Sequence, residues 1–463
     1  MDTSEQAWLP DLIYTGDRFQ ADTAIVCDHA GRILRLDPAK TAKGASPLNN
    51  RALLPGLING HSHSFQRVIR GRTEYRTANS NASFWTWREM MYSAATRLAP
   101  EDVYDASRMA FLEMALSGIT SVGEFHYLHH GPDGTAYDDP NLMAKEVVRA
   151  AEDVGLRIAL LRVAYARSGY ETETNPRQAR FIEETPETYL KNVAQLITDV
   201  GQGNAWVGVA PHSVRALPLN YLREVIQFAD KRKLPVHMHV AEQPAEVSAC
   251  IEEYGRSPVA LLATEGLLSN RFTGIHLIHV SPKAVRMLAE ARAMACACPT
   301  TERNLGDGII PVDAFFKQGV RVALGTDSHV QIDLLEDARE LEYHLRLQKM
   351  ERAVLASVDD DGTSALAARL LDCATVNGAE SIQAPGGALQ PGRAADFFTV
   401  DLSDPTIAGA APGDLLSSIV FSMSRTAVRD VVIGGRRIVE DGKHAQQEQI
   451  VERFKALQKR LWG

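Results

Sequence analysis

Short apolar runs alternate with amphipathic stretches through the middle of the chain. From Ile119 onward, most of these runs end in polar residues, and stretches with helical periodicity, such as MAKEVVRAAEDV and PKAVRMLAEARA, separate most of them. Alternating strands and helices predict an α/β fold with a parallel sheet. The predicted strands are LLPGLINGHSH, ITSVGEFHY, LRIALLRVAYA, WVGVAPHS, PVHMHVAE, HLIHV, MACACPTT and RVALGTDS. Their number is that of a (β/α)8 barrel of the TIM type.

Both ends of the chain have a different pattern, with short strands joined by turns. AIVCDHAGRILRLDP contains two apolar runs around an Asp-His-Ala-Gly turn, and VRDVVIGGRRIVEDGK has a Gly-Gly turn. The last stretch, QEQIVERFKALQKRLW, has the spacing of an amphipathic helix. Neither end is large enough to build a stable core alone. The pattern therefore predicts a small β-sandwich domain made from residues 1–53 and 385–463, including the terminal helix, with a barrel of residues 54–384 inserted between them.

Composition narrows the class of protein. Of the 463 residues, 45% are hydrophobic and 23% are charged, and the net charge is -9, as in many globular proteins. Lysine and arginine form no long run, so no nucleic-acid partner is predicted. No apolar stretch is long enough to span a bilayer, so no membrane partner is predicted either. The five cysteines are scattered and odd in number, which favours free thiols and a cytoplasmic location.

Polar residues cluster where the predicted barrel strands end. His61 and His63 end the first strand with one residue between them, so their side chains point the same way. His239 ends the fifth strand and Asp327 the eighth, and in this fold the carboxyl ends of all strands meet at one face. Three imidazoles and one carboxylate suit a single zinc ion, or iron, in a hydrolytic site. His237 is predicted to point into the barrel core.

Two further residues are candidates for proton transfer. Glu242, in the sequence HVAE, could reach a substrate nitrogen beside the metal ion, and a surface salt bridge is the alternative interpretation. His279 ends the sixth predicted strand and could contact the water on the metal ion, whereas His276 is predicted to lie deeper or on the other face. The histidines of HYLHH are interpreted as loop residues near the site, because no carboxylate or cysteine accompanies them.

These motifs in combination resemble the amidohydrolase superfamily. H-x-H, H-x-x-E, a single histidine and T-D-S at successive strand ends are similar to its mononuclear deaminase branch. The fourth strand, WVGVAPHS, has no terminal lysine to bridge a second metal ion, which favours one ion per chain. A closer resemblance, spread over nearly the whole barrel, is to formimidoylglutamate deiminases. It is carried by HSHSFQR, SFWTWRE, GEFHYLHH, HSVRAL, HVAEQ, TERNLGDGI and GTDSHV.

The resemblance implies a role for each site residue. The metal ligands would be His61, His63, His239 and Asp327, and the catalytic residues would be Glu242, His279 and Asp327. The substrate would be held by Gln66, Arg88, Tyr127, His212 and Arg215. The implied reaction is the zinc-dependent hydrolysis of N-formimino-L-glutamate to N-formyl-L-glutamate and ammonia, in histidine degradation. The resemblance also implies a homodimer.

The chemistry of the two arginines agrees with a small dicarboxylate as the substrate. A carboxylate is bound well by the planar, fork-shaped donor set of a guanidinium group, and Arg88 and Arg215 supply two of them. Each arginine could instead be a surface charge. One alternative function is a related deaminase that acts on a purine, pyrimidine or triazine ring, which would favour aromatic and amide contacts. A non-catalytic barrel scaffold is the alternative of another class, and it would be expected to have lost metal ligands.

Overall fold

The computed structural model describes residues 5–75, 84–201, 203–357 and 364–463. Ser83 of the SFWTWRE motif and the side chain of Trp85 lie outside the described part. Within these ranges the strands are β1 (Gln6–Tyr14), β2 (Phe19–Gln20), β3 (Thr23–Cys27), β4 (Ile33–Pro38), β5 (Ser46–Pro55), β6 (Leu57–Ser62), β7 (Ile119–His126), β8 (Arg157–Ala164), β9 (Ala205–Pro211), β10 (Val236–Val240), β11 (Phe272–His276), β12 (Met294–Ala297), β13 (Val322–Leu324), β14 (Phe397–Asp401), β15 (Val428–Ile433), β16 (Arg436–Glu440) and β17 (Lys443–His444).

Helices follow most of the strands in the middle of the chain. They are α1 (Phe84–Ala95), α2 (Pro100–Leu116), α3 (Leu142–Val154), α4 (Pro186–Val200), α5 (Leu219–Arg232), α6 (Pro244–Tyr254), α7 (Pro258–Thr264), α8 (Pro282–Glu290), α9 (Pro299–Leu305), α10 (Val312–Lys317), α11 (Leu334–Lys349), α12 (Ala365–Ala374), α13 (Val376–Ile382), α14 (Leu415–Ser422) and α15 (Gln447–Trp462). Short 3-10 helices span Ser64–Ile69, Pro176–Phe181 and Arg425–Ala427.

Strands β6 to β13 form one parallel sheet in sequential order. Their residues are almost all buried, as in β7, β8 and β10, because side chains on one face fill the interior and those on the other pack under the helices. The sheet nearly closes through a bridge between Ser62 and Asp327. The Asp327 N–H donates to the His61 carbonyl at 3.0 Å, and the His63 N–H donates to the Asp327 carbonyl at 3.1 Å. The predicted (β/α)8 barrel is confirmed.

The strands at the two ends of the chain join in one mixed sheet. Its order is β17-β16-β15-β14-β5-β1-β3-β4, with β2 paired to β1. The join between the two ends is the antiparallel pair of β5 and β14. Trp8 and Phe397 pack edge to face in its core with ring centroids 5.2 Å apart. The prediction that both ends build one β-domain is confirmed, while the domain limits 1–53, 54–384 and 385–463 stay predictions.

The terminal helix α15 packs on the barrel helix α2. Arg453 pairs with Asp105 at 2.7 Å, Arg460 pairs with Asp102, and the Trp462 indole N–H donates to the Val68 carbonyl at 3.2 Å. These contacts lie on the barrel, although the sequence placed this helix with the small β-domain.

The sequence predicted neither a membrane-spanning segment nor a disulfide framework. None of the helices in the described ranges combines the length and the apolar character needed to cross a membrane. All five cysteines are buried free thiols, in agreement with the expected absence of a disulfide framework.

Candidate active site

Four buried groups with metal-ligating atoms converge at the carboxyl ends of the barrel strands. His61 lies on β6, His63 directly follows β6, His239 lies on β10, and Asp327 follows β13. The Nε2 atoms of His61 and His63 lie 3.4 and 3.3 Å from Oδ1 of Asp327. Nε2 of His239 lies 3.2 Å from Nε2 of His61. The structure thus brings together the four residues that the sequence proposed as metal ligands.

The spacing of these atoms fits a shared metal ion. With ligand bonds of about 2.0–2.1 Å, neighbouring ligand atoms around one zinc ion lie about 3–3.5 Å apart. Two imidazoles are also held in the tautomer that a metal requires, since Nδ1 of His63 donates to the Phe125 carbonyl at 2.9 Å and Nδ1 of His239 donates to the His212 carbonyl at 3.2 Å. In the neutral ring each Nε2 therefore carries a lone pair that can bind a cation.

Burial keeps the imidazoles in their ligand form. Desolvation, together with the neighbouring histidines, lowers the pKa of His61 and of His239 well below the ordinary value. Desolvation also lowers the pKa of His63, against the opposing effect of Asp327. Three neutral imidazoles beside one carboxylate form the donor set that a divalent ion binds.

A glycine allows the carboxylate to reach the histidines. A Cβ on Gly325 would lie 2.7 Å from Cβ of His61 and 2.9 Å from its carbonyl oxygen, closer than atoms can pack. The segment between β13 and Asp327 can therefore approach β6 only with glycine at this position. Asp327 itself adopts the left-handed region, with φ of 44°, after β13 has ended.

Glu242 and His276 lie beside the cluster. Nε2 of His276 is 3.8 Å from Oε1 of Glu242 and 3.8 Å from Oδ2 of Asp327. Burial raises the pKa of the Glu242 carboxyl to about 7, against the opposing effect of His276. The backbone N–H of Glu242 donates to the Glu246 carboxylate at 3.1 Å, which anchors the loop. A carboxyl group with a pKa near neutrality can both give and take a proton at physiological pH.

The structure contradicts the predicted placement of the two histidines around β11. This strand ends at His276, where the backbone turns through φ of 70°, and Leu277 follows with φ of 52°. His276 therefore points to the cluster, although the sequence placed it deeper or on the other face. His279 lies in the following loop, outside the residues that line the cavity, where its Nε2 donates to the Asp307 carbonyl at 3.0 Å.

Glu302 is a site residue that the sequence analysis missed. Its Oε1 accepts from Nδ1 of His276 at 3.2 Å and from the backbone N–H of Cys298 at 2.8 Å. Desolvation alone would lower the pKa of His276, but the carboxylates around it raise that pKa well above the ordinary value. Glu302 thus fixes the His276 ring with Nε2 toward the cluster. The motif TERNLGDGI includes Glu302, but the sequence did not indicate that this residue contacts His276 of β11.

Glu124 binds the two serines that flank His63 in the H-x-H segment. It accepts from the Ser62 hydroxyl at 2.5 Å, and from the backbone N–H and the hydroxyl of Ser64, both at 2.7 Å. Burial raises the pKa of this carboxyl to about 7, against the opposing effect of these three donors. Its contacts tie β7 to the residues that flank His63, so Glu124 positions the ligand strand. The sequence shows Glu124 in the run ITSVGEFHY but not its contacts with Ser62 and Ser64.

A cavity of about 740 Å³ opens on the cluster. It is lined by all five residues that the sequence assigned to the substrate, namely Gln66, Arg88, Tyr127, His212 and Arg215. Nη1 of Arg215 donates to the Ser168 carbonyl at 2.7 Å, and Nε of Arg88 donates to the Tyr92 hydroxyl. Desolvation and both arginines lower the pKa of His212 well below its ordinary value, so this imidazole is neutral. The cavity therefore presents two guanidinium groups to one ligand.

Gln66 offers an acceptor to that ligand. Its Nε2 donates to the Tyr127 hydroxyl at 2.9 Å, and the side chain is 1% exposed. Among the described residues its buried Oε1 has no hydrogen-bond partner. Such an orphaned acceptor is costly unless a ligand or water satisfies it.

The remaining histidines of the region have structural contacts. The ring nitrogens of His126, His129 and His130 donate to the carbonyls of Leu128, Val163 and Ile182, at 2.8, 2.9 and 2.9 Å. They form no metal cluster within the described residues. His237 is fully buried and donates to the Ser381 carbonyl at 2.8 Å, which confirms its predicted place in the core.

Comparisons with known proteins agree with this architecture. The model of the amidohydrolase family matches residues 52–438. A curated formimidoylglutamate deiminase from Pseudomonas aeruginosa is 37% identical over 452 residues, 97% of each chain. The crystal structure of an amidohydrolase from Brucella melitensis superposes with a TM-score of 0.89 at 31% identity, over 99% of this chain and 100% of that one. A zinc-bound adenosine deaminase from Xanthomonas campestris shares the fold, with a TM-score of 0.82 at 21% identity over 98% of both chains.

Proposed function

This chain belongs to the amidohydrolase family, and we propose that it hydrolyses N-formimino-L-glutamate to N-formyl-L-glutamate and ammonia. It is a hydrolase of C–N bonds, and its similarity to formimidoylglutamate deiminase covers the full length of both chains. The proposal goes beyond this class of reaction to the substrate, the metal and the role of each residue. The proposed reaction belongs to histidine degradation.

The observation that carries the proposal is the pair of arginines in the cavity beside the ligand cluster. Arg88 and Arg215 come from different parts of the barrel face, α1 and the loop after β9, so they can hold two carboxylates that belong to one small molecule. The unpartnered Oε1 of Gln66 suits an N–H of the formimino group. Formiminoglutamate has this combination of two anionic ends and a donor-rich nitrogen centre.

Zinc is the proposed metal, held by His61, His63, His239 and Asp327. Three neutral imidazoles and one carboxylate within reach of one ion favour it, and iron or another divalent ion could use the same donors. When bound, such an ion supplies a water molecule that is activated for attack at neutral pH.

The side chains around the cluster would handle the protons. In the overall reaction, water adds to the formimino carbon and the bond to the terminal nitrogen breaks, which releases ammonia. Asp327 is the proposed acceptor of the proton that the attacking water loses, and His276, whose Nε2 lies 3.8 Å from Oδ2 of Asp327, is proposed to orient that water. Glu242 is the proposed donor to the departing nitrogen, since its pKa of about 7 leaves part of the carboxyl protonated near neutrality. Arg88 and Arg215 would hold the carboxylates. Tyr127, His212 and Gln66 line the same cavity and would contact the rest of the substrate.

A panel of substrates tests the proposal. Ammonia release should be measured for formiminoglutamate, for formiminoglycine with one carboxylate, for N-propylformamidine with none, and for adenosine and an aminotriazine. We expect the highest kcat/KM for formiminoglutamate. Arg88→Met and Arg215→Met should each lower it at least about tenfold with the metal retained, because a charged hydrogen bond contributes about 1.5–3 kcal/mol. Arg223→Met, which changes an exposed arginine on α5, is the matched control.

The panel also separates the proposal from its main rival. Higher kcat/KM for a ring substrate, with no effect of either cavity arginine, would favour a ring deaminase instead. The homodimer and the cytoplasmic location stay predictions, and light scattering of the purified protein measures the first of them.

A further inference from the structure

A continuous chain of hydrogen bonds joins the two cavity arginines. Nε of Arg88 donates to the Tyr92 hydroxyl, and Nη1 of Arg215 donates to the Tyr165 hydroxyl at 3.2 Å. Between them lies Gln178, whose Nε2 donates to the Tyr92 hydroxyl at 2.6 Å and to the Tyr165 hydroxyl at 2.8 Å. All five side chains line the cavity. Both N–H groups of one amide are thus used to link two phenols that each contact an arginine.

The orientation of the Gln178 amide is fixed by its other end. The Ser168 hydroxyl accepts from the Asn175 N–H at 2.9 Å and donates to Oε1 of Gln178. The Ser168 carbonyl also accepts from Arg215 at 2.7 Å. Gln178 is 1% exposed and lies in the 3-10 helix Pro176–Phe181, which Asn175 caps. The amide therefore presents its NH2 group, and not its oxygen, to the phenols.

Counting donors and acceptors assigns the direction of each phenol O–H. The oxygen of Tyr92 accepts from Arg88 and Gln178, and that of Tyr165 accepts from Gln178 and Arg215. A phenol oxygen has two lone pairs and one proton, so both protons remain available for donation to another acceptor. Tyr92 and Tyr165 both line the cavity, where the carboxylates of a ligand are such acceptors.

We propose that Gln178 is a positioning residue that holds the Tyr92 and Tyr165 hydroxyls as donors to the two carboxylates of the substrate. Through the same bonds it joins Arg88 and Arg215 into one preorganised surface for a dicarboxylate. The inference rests on the proposed function for the identity of the substrate, and the two arginines that line the cavity suit a dicarboxylate as the class of ligand. A surface whose donors are already oriented binds more tightly, because less conformational freedom is lost on binding.

Two substitutions of Gln178 perturb this surface in different ways. Gln178→Met removes both N–H donors in a side chain of similar size. Gln178→Glu replaces them with acceptors, so both phenols would donate to residue 178 instead of the ligand, and its negative charge would compete with the ligand for the arginines. Tyr189→Phe is the matched control, because it removes the buried hydrogen bond from the Tyr189 hydroxyl to the Arg162 carbonyl, away from the cavity.

Titration calorimetry with glutarate, on the metal-loaded protein, tests the proposal without relying on turnover. We expect the Kd of Gln178→Met to rise at least about tenfold, the equivalent of one good hydrogen bond to a charged group. The Kd of Gln178→Glu should rise further, and that of Tyr189→Phe should not change. For Gln178→Met with formiminoglutamate, the KM should rise by a larger factor than kcat falls. Turnover of N-propylformamidine, which has no carboxylate, should be the same in this variant and in the unmodified protein.

Tyr92→Phe and Tyr165→Phe keep the test decisive if a Gln178 variant fails to fold. Each should weaken glutarate binding about tenfold, because each hydroxyl is a proposed donor to a carboxylate of the ligand. Glutarate affinity equal to that of the unmodified protein in Gln178→Met, or in both phenylalanine variants, would overturn the proposal. If the unmodified protein binds glutarate and loses it in these variants, yet does not hydrolyse formiminoglutamate, only the proposed function fails.

Discussion

Replacing Glu242 with glutamine tests the proton chemistry of the site most sharply. The substitution changes one oxygen to an NH2 group and keeps the size of the side chain. The loop should stay in place, because the backbone N–H of residue 242 is anchored by Glu246 and that of Ala241 donates to the same carboxylate at 3.0 Å. The cluster of His61, His63, His239 and Asp327 does not include Glu242, so the metal should be retained.

The expected loss of rate follows from the role of the carboxyl group. Burial raises its pKa to about 7, so the carboxyl can carry a proton near neutral pH, and the protonated fraction falls as the pH rises. An amide cannot replace it as an acid or base. We expect kcat to fall about a hundredfold to ten-thousandfold, or about 3–5 kcal/mol in the activation free energy. The dependence of kcat on pH near 7 that Glu242 causes should also disappear.

The assay combines steady-state ammonia release with metal analysis of the same preparations. Glu252→Gln, on the exposed face of α6, removes an equal charge close by and should leave both quantities unchanged. Turnover of Glu242→Gln within about threefold of the unmodified protein, where a catalytic acid would predict a hundredfold loss, would refute the reasoning. Loss of the metal would instead assign Glu242 to the ligand set.

Three further perturbations test other parts of the site. The purified protein should carry about one divalent ion per chain, and His239→Ala should lose both the ion and activity, as metal analysis would show. His276→Ala should lose most of kcat while His279→Ala keeps it, and the reverse result would restore the role that the sequence suggested. For Glu124, a folded-state pKa of about 7 against an ordinary value of 4.5 means that stability falls as the pH rises through this window. The stability of the unmodified protein relative to Glu124→Gln should therefore be greater at pH 5 than at pH 8, by up to about 3 kcal/mol in the free energy of unfolding, measured by denaturant titration.

The barrel and the convergence of the four candidate metal ligands could be predicted because both depend on local patterns. Buried parallel strands are apolar on both faces, so they are visible as short runs, and the residue that ends a run lies at the catalytic face. His61, His63, His239 and Asp327 follow this rule, and the structure brings them together.

The same rule failed at β11 for a physical reason. HLIHV continues as an apolar run beyond the true strand end, because Leu277 and Ile278 are buried after the backbone has turned. The run therefore marked His279, while the left-handed turn at His276 ends the strand three residues earlier. Backbone conformation of this kind is set by tertiary packing and is not encoded in the apolar pattern.

The hydrogen-bonded chain around Gln178 could not be predicted from the sequence either. Its members come from α1, the loop after β8, the 3-10 helix Pro176–Phe181 and the loop after β9, with no fixed spacing between them. Only the closed barrel brings these segments to one wall of the cavity.

The identity of the products tests the central claim most directly. Formiminoglutamate labelled with ¹³C at the formimino carbon should be followed by NMR, with ammonia measured in the same sample. The account predicts that the labelled carbon appears in N-formyl-L-glutamate, with one ammonia released per molecule converted. Appearance of the label in formamide together with free glutamate, or no conversion by protein loaded with its metal, would contradict it.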